Sequence, residues 1–597
     1  VLFMLILDIE LYSDYLLIMF KEIETGKVRY FEMFPGQELE RKHVSTLMRK
    51  YQTISFNGIS YDLPLIQAAI EGQSNEGLKK LSDSIIKSNK PSWLICKNND
   101  INVPLNEWDH IDLIEVAPGK ASLKLYGARM GAPKIQDLPI EPNESISPAM
   151  RKELRTYCIN DLDTTELLYN SLKPQIALRE SMSDQYQVDL RSKSDAQIAE
   201  TVIKSELTKK TKRKYKPLKL EDDDTVRYTD PQIVSFEDSD LNQIFDKILE
   251  YDFGFKGNGS IELPKWLKNE KIKIGDGVYS MGVGGLHSNE KSQLVEAGKG
   301  VLCELDVSSY YPSIILQQKL SPKTMGKDFL ELYQSLVTRR LEAKAARDMV
   351  TANTLKIVLN GSYGKLGSKY SALYAPELLL QVTITGQLCL LMLIERMEAA
   401  GINIVSANTD GIVCKCSKDL ERQMKLIAWD WMLDTSYTLE RTDYKLLASR
   451  DVNSYMAVKA NGKVKRKGIF NVGGLMKNPD RNIVFESVVE FLKNNTPIEK
   501  TIALCEDPKQ FISARKVTGG AIWDGELLGK TVRFYSSRGS LMVDPFIHYV
   551  LSGNKVPRSS GCGPLMDLEN WDLGDVNHQA YIDDAFKLLG EVGYVGA

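Results

Sequence analysis

The stretch at residues 300–316, GVLCELDVSSYYPSIIL, places the tightest constraint on what this chain can fold into. Apolar Val301 and Leu302 lead into Asp306, and a serine pair, a tyrosine pair and a proline follow at once. That order describes a buried strand that delivers a carboxylate and then turns abruptly. An acid at a strand end beside a tight turn either holds a metal or simply ends in solvent, and the segment alone is compatible with both. The chain is long enough to build cores around it: 597 residues, 43% of them hydrophobic, correspond to roughly four domains.

Charge excludes little. Lys plus Arg (76) nearly balances Asp plus Glu (79), so any basic surface that meets nucleic acid must be local. Eight cysteines, none spaced more like a metal site than Cys414-x-Cys416, indicate reduced thiols, a cytoplasmic location and no zinc ribbon. The opening VLFMLILDIELYSDYLLIMF is apolar enough for a signal or membrane segment, but Asp8, Glu10 and Asp14 interrupt it and no basic region precedes them. It is expected to form two core strands, with no membrane involved.

The first of those strands carries a candidate site. Residues i and i+2 of a strand share a face, so Asp8 and Glu10 point one way while Leu7 and Ile9 point into the core. In SFNGISYDLPLI, Asn57 and Gly58 suit a turn and Tyr61-Asp62 precede an apolar run. In RTYCINDLDTTELLY, a helical pattern stacks Tyr157 and Asp161 on one face, with Asp163 on another. Singly these are also ordinary surface acids, a loop asparagine and a solvated helix face. Together and in order they resemble the three motifs of DEDD-type 3′-to-5′ exonucleases, in the variant that carries a tyrosine. The resemblance implies that Asp8, Glu10, Asp62 and Asp161 hold two divalent metals, with Tyr157 positioning the attacking water and Asn57 contacting DNA. Such hydrolysis needs convergent carboxylates, and hard oxygen ligands imply Mg²⁺ or Mn²⁺. Ser122 and Leu123 resemble a further motif that contacts single-stranded DNA.

From about residue 181 the chain changes character. DLRSKSDAQIAETVIKSEL reads as a helix, and KKTKRKYKPLKLEDDDT sets a basic run against an acidic one, either as a solvated loop or as a backbone-phosphate contact. YSMGVGGLHS supplies Gly282, Gly284 and Gly285 for a strained turn or close approach to a ligand. DFLELYQSLVTRRLEAKAARD is helical, with Arg340 and Lys344 as neighbours one turn apart. In LKIVLNGSYGKLG, Lys356, Asn360 and Tyr363 fall on one helical stripe that Gly364 can end. INIVSANTDGIVCKC reads as a hairpin with Asp410 at its tip.

Asp306-x-x-Ser309-Tyr310-Tyr311-Pro312, Lys356-x3-Asn360-x-x-Tyr363-Gly364 and Thr409-Asp410 resemble motifs A, B and C of family B DNA polymerases. The glycine stretch resembles the loop between exonuclease and polymerase halves in that family, with Gly284 and Gly285 among its DNA contacts. What the resemblance implies is an α/β multidomain protein, an RNase H-like exonuclease plus a right-hand polymerase of palm, fingers and thumb, compact in the manner of phage and viral members. The implied domains are an exonuclease over 1–185, a connecting region and first part of the palm over 186–299, palm over 300–327 and 369–478 around fingers at 328–368, and a thumb over 479–597. Asp306, with Val307 beside it, and Asp410 would hold two Mg²⁺ ions, Mn²⁺ being the alternative, as would the exonuclease site. Ser309, Tyr310, Arg340, Lys344, Lys356 and Asn360 would bind the incoming dNTP. Tyr363 would pack at the nascent base pair, Tyr311 would exclude a ribose 2′-hydroxyl, and Thr409 and Tyr455 would contact DNA. Implied partners are primer-template DNA and dNTPs, with a helicase, clamp or single-strand-binding protein beyond them. A monomer in the cytoplasm, the host's if phage-encoded, is expected.

The chain departs from the family pattern at three places. Asn408 stands where a first Asp is usual, Gly361 where Ser is common, and Asn453-Ser454-Tyr455 where Lys-x-Tyr is usual. Lys459, Lys463, Lys465, Arg466 and Lys467 either restore charge along a primer backbone or cap a solvated hairpin. Lys516, Lys530 and Arg533 are candidates for duplex contact or plain strand surface. Protein-primed members carry two insertions in the polymerase half, and neither has room here. Alternatives are a protein-primed member after all, or an exonuclease whose C-terminal half only binds DNA.

Overall fold

The computed structural model describes residues 3–88, 90–221, 224–539, 546–569, 571 and 573–595. The protein is mixed α/β and divides into two compact units. The first comprises Val1–Ser194, Val472–Val484 and Glu499–Ile582, and the second Asp195–Asn471, Phe485–Ile498 and Asp583–Ala597.

The first unit is built on a five-stranded sheet, in the order Val28–Met33, Leu16–Glu22, Met4–Leu11, Gln52–Ser55, His110–Asp112. The first three strands pair antiparallel and the last two join in parallel. The apolar opening therefore forms two core strands, as its interrupting acids suggest. Alternation sorts the central strand: Leu5, Leu7, Ile9 and Leu11 pack on one side with Leu63, Leu65 and Ile66 of the helix Asp62–Glu71. Ile6 and the acids face the other side, where Leu154, Cys158 and Leu162 of the helix Pro148–Tyr186 form the cover. A second sheet of this unit pairs Ser513–Trp523 with Glu526–Ser536, flanked by His548–Tyr549 and Cys562–Pro564. Arg533 lies inside this unit, fully buried, and donates to the carbonyls of Ala132 and Leu565 at 2.7 Å each. That removes it from the candidates for duplex contact, because an alternating strand turns every second side chain inward. Lys516 and Lys530 are exposed.

The second unit is built on an antiparallel sheet in the order Val464–Arg466, Ser454–Lys459, Leu439–Asp451, Val301–Val307, Gly411–Cys416, Asn403–Asn408, Leu286–Ser288, Gly277–Met281, Ile272–Ile274, with Gln293–Glu296 also pairing with Leu439–Asp451. Val301–Val307 is an interior strand, which explains the apolar Val301, Leu302 and Cys303 that open it. The helix Pro376–Ala399 is long and apolar enough to cross a membrane, yet 89% of its most apolar window is buried inside the protein. It serves as a core helix, and the Trp431 indole donates to its Cys389 carbonyl at 2.8 Å. The helices Lys327–Ala345 and Met349–Leu366 pack together, and the latter also packs on Asp195–Thr211. Gly361 sits at that last crossing: a Cβ there would lie 2.5 Å from the Asp195 carbonyl oxygen and 2.9 Å from Ala199. The absence of serine at 361 follows from that close approach.

Candidate active sites

In the first unit, three elements deliver four carboxylates to one place. Asp8 and Glu10 come from one face of the central strand, Asp62 from the first turn of its helix, and Asp161 from the helix that covers that face. Asp8 is held well above the usual carboxylate range, first by burial and then by Glu10, Asp62 and Asp161. Glu10 is raised likewise by burial and then by Asp161, with Lys124 opposing. Burial and then Asp112 push Asp62 up to about 7. Asp161 rises to about 6 through burial, against Lys124 and a hydrogen bond with Tyr157 one turn earlier. Buried like charges favour protonation unless a cation sits among them, and an all-oxygen donor set suits a hard divalent ion. Cys158 adds a thiol, donating to Asp8 Oδ2 at 3.7 Å, and its sulfur and the oxygens of Asp8 and Glu10 lie within 4.8 Å of one another. Burial foremost, and then the Asp8, Glu10 and Asp161 carboxylates, hold the thiol well above its usual range.

The residues around the cluster hold its parts in place. Asp112 accepts the N–H groups of Asn57 at 2.7 Å, Ile59 at 3.0 Å and Ile114 at 3.1 Å, which pins the turn that leads into Asp62. Asn57 occupies the left-handed region at φ 70° in that turn. Ser122 caps the helix Leu123–Met130, its Oγ accepting from the Leu125 N–H at 3.3 Å, and Leu123 packs on the core beneath. Lys124, next along, lies 4.9 Å from the centre of the Tyr157 ring. Asp163 is turned away into an ion pair with Lys21 at 2.5 Å. Asp112, Lys124 and Cys158 escaped the sequence reading. Lys124 adjoins the Ser122-Leu123 pair and could have been flagged, whereas nothing local marks Asp112 as a neighbour of Asp62.

In the second unit, Asp306 ends its strand paired with Gly411, and the Val307 N–H donates to the Asp410 carbonyl at 2.7 Å. Asp410 lies in the turn between Asn403–Asn408 and Gly411–Cys416, at the hairpin tip expected of it. A Cβ on Gly411 would fall 2.3 Å from Asp306 Oδ1 and 2.8 Å from the Leu305 carbonyl, so only glycine lets the strands bring both acids to one cleft. Asn408, Tyr455, Lys465 and Lys467 line the same cleft. Burial and then the Glu304 carboxylate push Asp306 up to about 7, with Lys465 opposing. Burial raises Asp410 too, against Lys465 and Lys467.

Glu304 is a further residue that the sequence reading passed over. It precedes Asp306 by two and so shares its face, a signal available from strand periodicity. It is buried, takes both its oxygens to Lys465 Nζ at 2.6 Å, and accepts from the Tyr444 hydroxyl. Lys465 also stands 3.9 Å from Asp306 Oδ2. The basic run after Tyr455 thus divides: Lys465 and Lys467 face the cleft, while Arg466 points away into a pair with Glu486 at 2.5 Å.

Tyr311, within the electrostatic reach of Asp410, stacks on Tyr363 with centroids 4.3 Å apart, and its hydroxyl donates to the Gly284 carbonyl at 2.8 Å. Gly285, at φ 148°, leaves under 3 Å between a Cβ and Thr409, so the glycine pair gives the chain room beside the hairpin tip. Tyr310 is buried, donating to the Gly386 carbonyl at 2.6 Å, which makes it a support and not a surface. Arg340 donates to the Ser309 Oγ at 2.9 Å, and Ser309 starts its helix in the left-handed region at φ 49°. Lys344, Lys356 and Asn360 are exposed on the paired helices.

No family model matches the chain, and no curated protein matches it. Among solved structures, it is similar to the family B DNA polymerase from the hyperthermophilic archaeon Pyrobaculum calidifontis, with 14% sequence identity over 100% of this chain and 78% of that chain, at a TM-score of 0.41.

Proposed function

We propose that the chain is a template-directed DNA polymerase of the family B type, extending a primer 3′ end at Asp306 and Asp410, with a 3′-to-5′ exonuclease at Asp8, Glu10, Asp62 and Asp161. The observation that carries it is the meeting of Asp306 and Asp410 across a glycine-spaced strand pair, in a cleft flanked by Lys465 and Lys467. A binding module has no use for two acids brought together in a cleft beside lysines.

Two Mg²⁺ or Mn²⁺ ions at each site would supply Lewis-acid stabilisation of the attacking and leaving oxygens of an in-line displacement. The chain's own part is placement and charge. Asp306 and Asp410 would hold the ions, with Lys465 braced by Glu304 so that its charge stays beside Asp306. Arg340, with Lys344 and Lys356, would clamp the triphosphate, and Arg340 is already oriented by Ser309. Tyr311, fixed by its stack and by Gly284, would lie under the sugar. At the exonuclease site Tyr157 would orient water beside Asp161, and Lys124 would offset the negative charge of Glu10 and Asp161.

The test is nucleotide incorporation on a primed template together with degradation of a labelled single strand. Asp8→Ala with Glu10→Ala should abolish degradation and leave extension, and Asp306→Ala the reverse. Loss of both activities from either change, in folded protein, would overturn the two-site assignment, and degradation without any extension would leave only a nuclease.

A further inference from the structure

The helix Glu421–Thr435 of the second unit has two unlike faces. Met424, Ala428, Trp431 and Thr435, at helical spacing, are buried and hold it to the unit's core. On the other side Leu426, Trp429 and Leu433 fall at i, i+3 and i+7 on one stripe, and they are 53%, 58% and 63% exposed. Three large apolar side chains in a row, each more than half in water, offer roughly 350 Å² of apolar surface, the size at which a patch on a soluble protein marks a contact.

Charge along the same stripe says what covers it. Arg422, one turn before Leu426, continues the row, is exposed, and forms no ion pair among the described residues. Its neighbour Glu421 is taken by Lys418, Lys425 and Arg441 at 2.5, 2.9 and 3.0 Å. Arg422 is the second residue of the helix, at the end of the macrodipole that disfavours a cation. The last turn, where a cation is favoured, carries no basic residue. That order suits a helix laid alongside in the opposite direction, bringing an apolar stripe of its own and a cation to the last turn.

A second copy of this helix has both in the required order. Set antiparallel about Trp429, Leu426 of each copy meets Leu433 of the other, the two indoles pack at the centre, and each Arg422 reaches the C-terminal end of its counterpart. A parallel pair would instead set one Arg422 guanidinium against the other. Two such faces with their flanking polar groups bury roughly 1,000 Å², the floor for a specific interface, which makes the association reversible and not obligate.

We propose that two copies of the chain associate through this face, antiparallel, with Trp429 as the central anchor, Leu426 and Leu433 beside it, and Arg422 closing each end. The dimer departs from the monomer expected from the sequence. It uses neither carboxylate cluster, so it is independent of whether the chain polymerises.

The experiment uses the full chain in a chelator, without DNA or nucleotides. Sedimentation velocity is followed from about 1 to about 100 µM, the range in which a contact of this size reports. The weight-average mass should rise toward twice the monomer's across that range. Trp429→Ala should weaken association at least about tenfold, as loss of a central aromatic anchor does. Arg422→Glu should weaken it about fivefold, because each helix C-terminus then meets an anion in place of a cation. Orientation is read by cysteine pairing: a mixture of Leu426→Cys and Leu433→Cys chains, oxidised by glutathione disulfide, should give several-fold more linked dimer than either variant alone. The unsubstituted chain sets the baseline for the partly exposed Cys505. All four substituted positions are exposed, so the variants keep the fold. A mass that stays monomeric to about 100 µM, association untouched by both Trp429→Ala and Arg422→Glu, or pairing in a single cysteine variant as strong as in the mixture would each overturn the proposal.

Discussion

At the scale of single residues, the proposed function raises the question of how the second site would work with Asn408 where the resembled polymerases usually carry an acid. Asn408 Oδ1 accepts from the Thr409 hydroxyl at 3.0 Å, so its amide is engaged with the hairpin tip. Glu304, not position 408, brings the third carboxylate to this cleft, and Lys465 neutralises it. An amide is a poor ligand for Mg²⁺, so under the proposed function the ions would rest on Asp306 and Asp410. Asn408→Asp should therefore change extension less than about tenfold, whereas Asp410→Asn should reduce it by at least about a hundredfold. Steady-state incorporation of one nucleotide by each variant checks this, and equal losses would mean that the ligands are misassigned. A second residue-scale consequence concerns His110, buried between Thr53 Oγ1 at 2.8 Å and Ser55 Oγ at 3.1 Å. Burial foremost depresses its pKa to about 3, so the folded protein keeps the ring neutral. The unfolded chain takes up a proton below about pH 6.5, and the folded one does not until near pH 3, so stability is lost as pH falls through that window. By pH 5 the loss is about 2 kcal/mol in the first unit. His110→Gln should flatten the fall in its melting temperature between pH 7 and 5, and an unchanged fall would clear His110 of the effect.

At the scale of elements, the acids were legible because strand and helix periods are: Asp8 with Glu10, Tyr157 with Asp161, and Asp410 at a hairpin tip each follow from spacing within one segment. The parts that were hidden depend on register between distant segments. Nothing near Asp112 announces that it will sit beside Asp62, because its strand must first pair with Gln52–Ser55 and hold the turn that leads into the helix of Asp62, and nothing near Lys465 announces Glu304, because only the strand order of the sheet brings them together. Arg533 was misjudged for a related reason: its alternating strand reads as basic surface until the strand's inward face is known, and then the guanidinium is found buried on carbonyls. Gly361 gives a test at this scale. The close crossing of Met349–Leu366 on Asp195–Thr211 leaves no space for a side chain there. Gly361→Ser should push the helices apart and cost about 1–3 kcal/mol of stability in the second unit. Thermal unfolding resolved for the second unit would register it, and a neutral or stabilising effect would show that the glycine has no packing role.

At the scale of the whole molecule, the connections of the second unit decide how synthesis would begin. An enzyme that starts on a protein hydroxyl needs a surface to seat the priming protein, and one that separates strands unaided needs a structure that surrounds the template. The chain has no room for either between its helices. The helix after Asp306 ends at Gln317 and the next begins at Lys327, and the helix carrying Lys356 ends at Leu366 with the next at Pro376. Each link has nine residues, 318–326 and 367–375, and at about 3.3 Å per extended residue that closes a turn but does not make a subdomain. The second link is further committed, since Lys369 and Tyr374 are tied to the turn at Gly257 and Gly259. Under the proposed function, the chain should extend an ordinary nucleic-acid 3′ end and stall on duplex ahead of it, giving long products only with a helicase or another strand-separating factor. Extension of a primer on single-stranded and on gapped circular templates, compared side by side, measures this directly. The expected result is full copying of the single strand and arrest within tens of nucleotides of the duplex. Kilobase displacement by the purified chain, or nucleotide transfer to a protein hydroxyl, would require that these short links do what their length forbids.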